Sequence, residues 1–185
     1  MRFFIALDLS RENSRQVQDI QTLLSTQIPQ VKLTDSTNLH LTLAYVGEQP
    51  DQYKDKITEV IKNSCKGIPP FTVSPSFIDG FPDIHSAQVL WLGLKGEVGN
   101  LFVLRERIKD GLIDLRLVVD ERRFSPHITI GKLSKTDISA EVEKRLQDVV
   151  NFPFSPIHVN SIKLFQSIAQ NGVHTHNILS ETKLG

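Results

Sequence analysis

The 185-residue sequence has little of what marks specialised proteins. It carries a single cysteine, Cys65, so no disulfide can form within the chain, and a reducing compartment is expected. It has no excess of either charge. Lys+Arg and Asp+Glu both number 21, and the formal net charge is zero. Such a chain has no global pull toward nucleic acid or membrane, so any nucleic-acid contact must be local. No apolar run approaches the ~20 residues that span a bilayer. The Met1–Leu9 stretch is too short for a secretory leader and is interrupted by Asp8. No Gly/Ser-rich linker and no low-complexity segment divides the chain. These absences lead to the expectation of a cytoplasmic protein built as one domain over residues 1–185, with no membrane association. Its 39% hydrophobic and 23% charged residues are ordinary for a globular protein.

What is present is an alternation of strand and helix signals. Phe3 to Leu9 reads as a buried strand. Ser10 is an N-cap for a helix with Val17, Ile20, Leu23 and Leu24 on one stripe, ending before Pro29. Val31–Leu33, Asn38–Val46, Phe71–Ile78, Gln88–Leu94, Phe124–Leu133, Ile157–Gln166 and Val173–Lys183 read as strands. The last follows an Asn171-Gly172 turn signal. Helices are expected from Asp51, over Asn100–Leu115, and over Asp137–Val150 with Val142, Leu146 and Val149 inward. Arg105, Arg107 and Lys109 read as the outer face of the second of these. Several strand pairs have no helix between them, which argues for an α+β fold with antiparallel or mixed sheets. Both halves run motif strand, helix, strand pair. That order suggests two intertwined, pseudo-two-fold-related lobes, with the helices outside.

The motif in question occurs twice, 87 residues apart: His40-Leu41-Thr42-Leu43 and His127-Ile128-Thr129-Ile130. Residues two apart share a strand face, so the aliphatic residues point inward and each His and Thr points the other way. A half-buried sheet explains the aliphatics. It does not explain the same His and Thr at matching offsets twice, because solvent faces are usually filled with mixed charged residues. Histidine titrates near neutrality and serves as acid or base. Threonine hydroxyls donate to phosphate oxygens. Two of each suit phosphoryl chemistry, which needs positioning, charge stabilisation and proton transfer.

These strands resemble the two-histidine phosphoesterase superfamily, and within it the RNA 2′,3′-cyclic phosphodiesterases once described as 2′-5′ RNA ligases. The similarity extends to Arg2-Phe3-Phe4-Ile5-Ala6-Leu7-Asp8-Leu9, to Asn38 through Leu43 with Gly47, and to Ser125-Pro126-His127-Ile128-Thr129-Ile130-Gly131-Lys132-Leu133. The resemblance implies a bilobal fold with two antiparallel sheets flanking a central cleft. It implies hydrolysis of RNA 2′,3′-cyclic phosphate ends to a 2′-phosphate without metal or other cofactor. His40 would be the proton donor, His127 the proton acceptor, and Thr42 and Thr129 the phosphate holders; the reverse order of the histidines stays open. The partner would be RNA or a small nucleotide with a cyclic phosphate end, met by a monomer. Alternatives are a related enzyme acting on ADP-ribose cyclic phosphate or 2′-5′ oligonucleotides, and a non-catalytic RNA-end binding module. Two intact motifs speak against the last, since a binder needs no titrating pair.

The sequence departs from that pattern in places. Ala44 stands where Arg is frequent. Lys132 replaces Arg and loses its two-pronged phosphate geometry. Tyr45 is placed to stack a base or to pack in the core. A Gly-Pro-x-Tyr element is replaced by Gly172-Val173-His174-Thr175-His176. There His174 and His176 share a strand face and are candidates for substrate contact. Arg122 and Arg123 precede the second motif as RNA-phosphate candidates or as a solvated turn. Trp91 reads as core, His85 as surface, His158 as structural or exposed, and Cys65 as a helix residue with no nucleophile's company.

Overall fold

The computed structural model describes residues 1–120, 123–134, 138–151, 153–170 and 173–185. Arg122, Asp137, the Asn171-Gly172 turn and the side chain of Val149 lie outside them. In chain order the elements are β1 (Arg2–Asp8), α1 (Arg11–Gln27), β2 (Lys32–Leu33), a 3-10 turn (Ser36–Asn38), β3 (His40–Glu48), α2 (Tyr53–Cys65), β4 (Phe71–Phe81), β5 (Val89–Gly96), α3 (Val98–Asp114), β6 (His127–Lys132), α4 (Ala140–Val150), β7 (Ile157–Val159), β8 (Ser161–Gln170) and β9 (Val173–Lys183). Ser10 caps α1 as expected: its Oγ accepts from the Asn13 N–H at 3.1 Å.

The strands run in the order β7-β4-β5-β6-β3-β1-β8-β9, with β2 beside β6. Every pairing is antiparallel. The sheet therefore has two halves that meet at the motif strands β3 and β6, through the pair Leu41 with Ile128. The halves are interleaved. The β4-β5 hairpin follows β3 in sequence but joins β6, whereas β8-β9 follows β6 but joins β1 beside β3.

All four helices pack on one face: α1 against β6 and α4, α4 against β4, α2 against β8, β9 and α3, and α3 against β3. The main core lies between, with Phe3, Ile5, Leu7, Leu41, Leu43, Ile128 and Ile130 buried in it. On the other face, the cleft face, Phe4, Ala6 and Phe165 form a separate apolar cluster. This is why β1 reads as a continuous apolar run: it is covered on both sides.

Two expectations are corrected. Ile157–Gln166 is not one strand. β7 pairs with β4 at one end of the sheet and β8 pairs with β1 in the other half. The buried positions change phase between them, from Ile157 and Val159 to Ile162 and Leu164, which one straight strand does not allow. Arg105 is not on the outer face of α3. It is 5% exposed on the stripe of Leu101, Leu104 and Ile108, and its guanidinium donates to the Asp120 carbonyl at 2.7 Å. Among the described residues, no helix is long and apolar enough to cross a membrane.

Candidate active site

The motif strands meet side by side, and the antiparallel Leu41–Ile128 pair sets the register of everything on the cleft face. It brings His40 to the position beside Thr129, and Thr42 beside His127. Each motif strand then carries a bulge at the same place. On β3, Ile5 pairs with Ala44 but Ala6 pairs with Thr42, leaving Leu43 as the extra residue. On β6, Leu90 pairs with Gly131 but Trp91 with Thr129, leaving Ile130 extra. A bulge switches the strand's alternation. Tyr45 and Lys132, each five residues after its histidine, consequently join His and Thr on the cleft face. Simple alternation would bury them. Ala44 takes the core position instead. The carbonyl of Ile130 is met by the buried Gln21 amide of α1 at 2.8 Å, so the irregular backbone is not left unsatisfied.

The two histidines are held alike. His40 Nδ1 lies 2.7 Å from the carbonyl of Asn38, and His127 Nδ1 lies 2.6 Å from that of Ser125. A carbonyl only accepts, so both Nδ1 atoms carry hydrogen and both rings titrate at Nε2. Burial pushes His40 down to about 4, opposed by the Asn38 hydrogen bond and reinforced by the imidazoles of His176 and His127. Burial also lowers His127, again opposed by its carbonyl partner. Both rings are therefore neutral at pH 7 in the unliganded site.

Each histidine has its own aromatic wall. The His40 ring lies 4.9 Å from Phe4, which stacks on Phe165 at 4.9 Å and faces Tyr45 at 6.1 Å. The His127 ring lies 5.1 Å from Phe81 and 5.5 Å from Trp91. Phe77 adds an edge contact to Trp91 at 5.6 Å. Trp91 is buried as expected, but on the cleft face and outside the main core. These walls were not singled out by sequence. The signal was there for Phe4, which shares parity with Ala6 on a strand whose other face is filled by Phe3, Ile5 and Leu7.

The predicted residues thus divide. His40, Thr42, His127 and Thr129 share one surface, partly buried. Tyr45, 49% exposed, stands at its edge, and exposed Lys132 at the equivalent edge of the other half. His176 enters the site, with its ring 5.1 Å from His40. His174 is exposed, and its carbonyl accepts from the Asn38 side chain at 2.9 Å. His85 and His158 are exposed, as is Arg123. Cys65 is buried, and burial raises its thiol to about 11, unsuited to a nucleophile.

The chain belongs to the 2′-5′ RNA ligase superfamily, whose match covers residues 9–167. It is 27% identical over 173 residues to the RNA 2′,3′-cyclic phosphodiesterase of Methanocaldococcus jannaschii, covering 93% of this chain and 95% of that one. It is 29% identical over 167 residues to the protein of the same name from Thermotoga maritima, covering 90% and 87%. Among solved structures, E. coli LigT complexed with 3′-AMP superposes with a TM-score of 0.78 at 21% identity, covering 99% of this chain and 97% of LigT. A protein from Thermus thermophilus gives 0.79 at 20%, covering 100% and 98%. At these identities the structural likeness is one of fold.

Proposed function

We propose that this protein hydrolyses RNA 2′,3′-cyclic phosphate ends to 2′-phosphate ends by acid-base catalysis between two imidazoles, with no metal. The observation that carries the reading is the shared cleft face of His40, Thr42, His127 and Thr129, set by one register pair. The names of the relatives at 27% and 29% identity point to the same substrate.

In this reading the threonine hydroxyls donate to the non-bridging oxygens. One Nε2 takes a proton from water as its oxygen bonds to phosphorus. The P–O3′ bond breaks, and the other imidazolium gives its Nε2 proton to O3′. The product is a 2′-phosphate and a 3′-hydroxyl, and the two rings exchange protonation states through solvent before the next turnover. With His40 as donor and His127 as acceptor, the anionic phosphate must offset the burial that keeps His40 neutral when the site is empty. The reverse assignment is favoured by one observation: His40 is the ring held down to about 4, with other imidazoles around it. The general acid must carry its proton at the working pH, which suits the ring that is charged more easily.

Incubation of the protein with a 2′,3′-cyclic phosphate oligonucleotide in the presence of EDTA tests the reading. The expected product carries a 2′-phosphate. A 3′-phosphate product, or release only when divalent metal is added, would refute it. A substrate with sulfur in place of O3′ separates the roles, because a thiolate leaves without a proton. It should restore turnover to the alanine variant of the acid and not to that of the base.

A further inference from the structure

Phe4, Phe165 and the β9 histidine His176 close around His40 on the cleft face. The His176 ring stands edge-on to Phe4 at 4.8 Å and edge-on to His40 at 5.1 Å. His176 is only half-buried, and neither of its ring nitrogens has a hydrogen-bond partner among the described residues. The backbone that carries it is tied to the start of β3, since the Asn38 side chain donates to the His174 carbonyl and the Asn38 carbonyl holds His40 Nδ1. His40 and the stretch of β9 that carries His176 are thus tied to the same residue, Asn38.

Two charged pairs in this half of the sheet are matched, while the exposed Lys132 stands in the other half. Asp8 of β1 pairs with Lys163 of β8 at 2.6 Å, and Arg2 of β1 with Glu48 of β3 at 3.3 Å. Tyr45 of β3 faces Phe4, His127 of β6 lies across the cleft, and His174 is exposed on β9 itself. Among the described residues, no carboxylate lies within ion-pair distance of His40 or His176. Charge on one of these two imidazoles is therefore opposed by charge on the other with no counter-ion between them.

We propose that His176 is a positioning residue for His40: it holds the plane of the His40 ring, and it takes the first proton that enters this half of the cleft. His176 accepts that proton more readily because it is the less deeply buried of the two rings, and the deeper burial of His40 outweighs the Asn38 hydrogen bond that favours its charged form. His40 then stays neutral over a range of pH in which an isolated histidine would charge. The depression of His40 by the His176 charge agrees with this. The inference rests on His40 being one of the two acid-base groups of the proposed reaction.

The test is an NMR titration of the histidine ring protons in the free protein, in wild type, His176→Phe and His176→Gln. Phe keeps the aromatic packing, and Gln keeps a polar group should Phe impair folding. The His40 midpoint should rise by roughly one unit in both variants. The acid limb of kcat/KM for adenosine 2′,3′-cyclic phosphate should move with it, with kcat changed more than KM. An unmoved His40 midpoint in the folded variants would overturn the proposal. So would a higher KM with that midpoint unchanged, which would mean that His176 touches substrate rather than acting through His40. The titration needs no turnover, so a protein inert toward the nucleotide would count against the proposed function and leave the titration to decide this inference.

Discussion

Leu41 on β3 pairs with Ile128 on β6, and among the described residues this is the backbone pair that joins the two motif strands. Beyond it β6 turns to other partners, Gly131 and Lys132 pairing with Leu33 and Lys32 of β2. The strands are thus close at the motifs and separate past them. The Leu41 side chain is fully buried on the core face, directly behind the site.

Leu41→Ala should therefore lower stability by about 2–5 kcal/mol, the usual range for a leucine removed from a packed core. Urea denaturation measures it. A loss under ~1 kcal/mol would mean that the site's backing is not close-packed.

His40→Ala and His127→Ala should each lower kcat by at least ~10²-fold, the scale of one acid or base in proton transfer. Both side chains sit on the cleft face, so the circular dichroism spectrum should stay that of the wild type. Wild-type turnover in either variant would remove that histidine from the chemistry.

Thr42→Val and Thr129→Val keep the branched shape that suits a strand and delete the hydroxyl. A hydrogen bond to a charged partner contributes about 1.5–3 kcal/mol, so each change should reduce kcat/KM by roughly 10- to 100-fold. Because each threonine stands beside the other motif's histidine, the pair Thr42→Val with His127→Ala should be non-additive. Additive losses in that double-mutant cycle would contradict the register.

The pH dependence follows from three lowered histidines, His40, His127 and His176. Unfolded, each binds a proton as pH falls through its ordinary value; folded, each resists until lower pH. The stability is thus complete above about 6.5 and is lost as pH falls from there toward 4. For His40 the full loss is roughly 3 kcal/mol. Melting temperatures at successive pH values should show it, with a shallower decline in His40→Phe. For activity, one ring must be charged and one neutral. The pair's two apparent pKa values, one about 4 and one below 6.5, should then bound a kcat/KM optimum on the acid side of neutrality. An optimum above pH 7.5 would contradict the burial argument.

Gly93 pairs with both His127 and Phe77, and the Phe77 ring lies across it. A Cβ at residue 93 would come 2.2 Å from that ring. Gly93→Ala should displace Phe77 and loosen the aromatic wall of His127, lowering kcat/KM while Thr42 and His40 are untouched. A variant with wild-type kcat/KM would show that this wall is not needed for positioning.

By itself the sequence determined the α+β class, the positions of most elements and the four residues of the two motifs. Those rest on local rules: alternation along a strand, helical spacing, and capping at Ser10. The charge of Arg105 suggested the outer face of α3, whereas the packed structure buries it. What the local rules could not reach was decided by the tertiary structure. Whether Tyr45 and Lys132 face the site depends on bulges at Leu43 and Ile130, which only the partner strands β1 and β5 define. The break of Ile157–Gln166 into β7 and β8, at opposite ends of the sheet, depends on which strand each piece finds to pair with. His176 meets His40 across 136 residues of chain because β9 and β3 lie in the same half of the sheet. Long-range pairing has no period in sequence, so the duplicated motif could announce two histidines but not which threonine stands beside each, nor the third imidazole at their side.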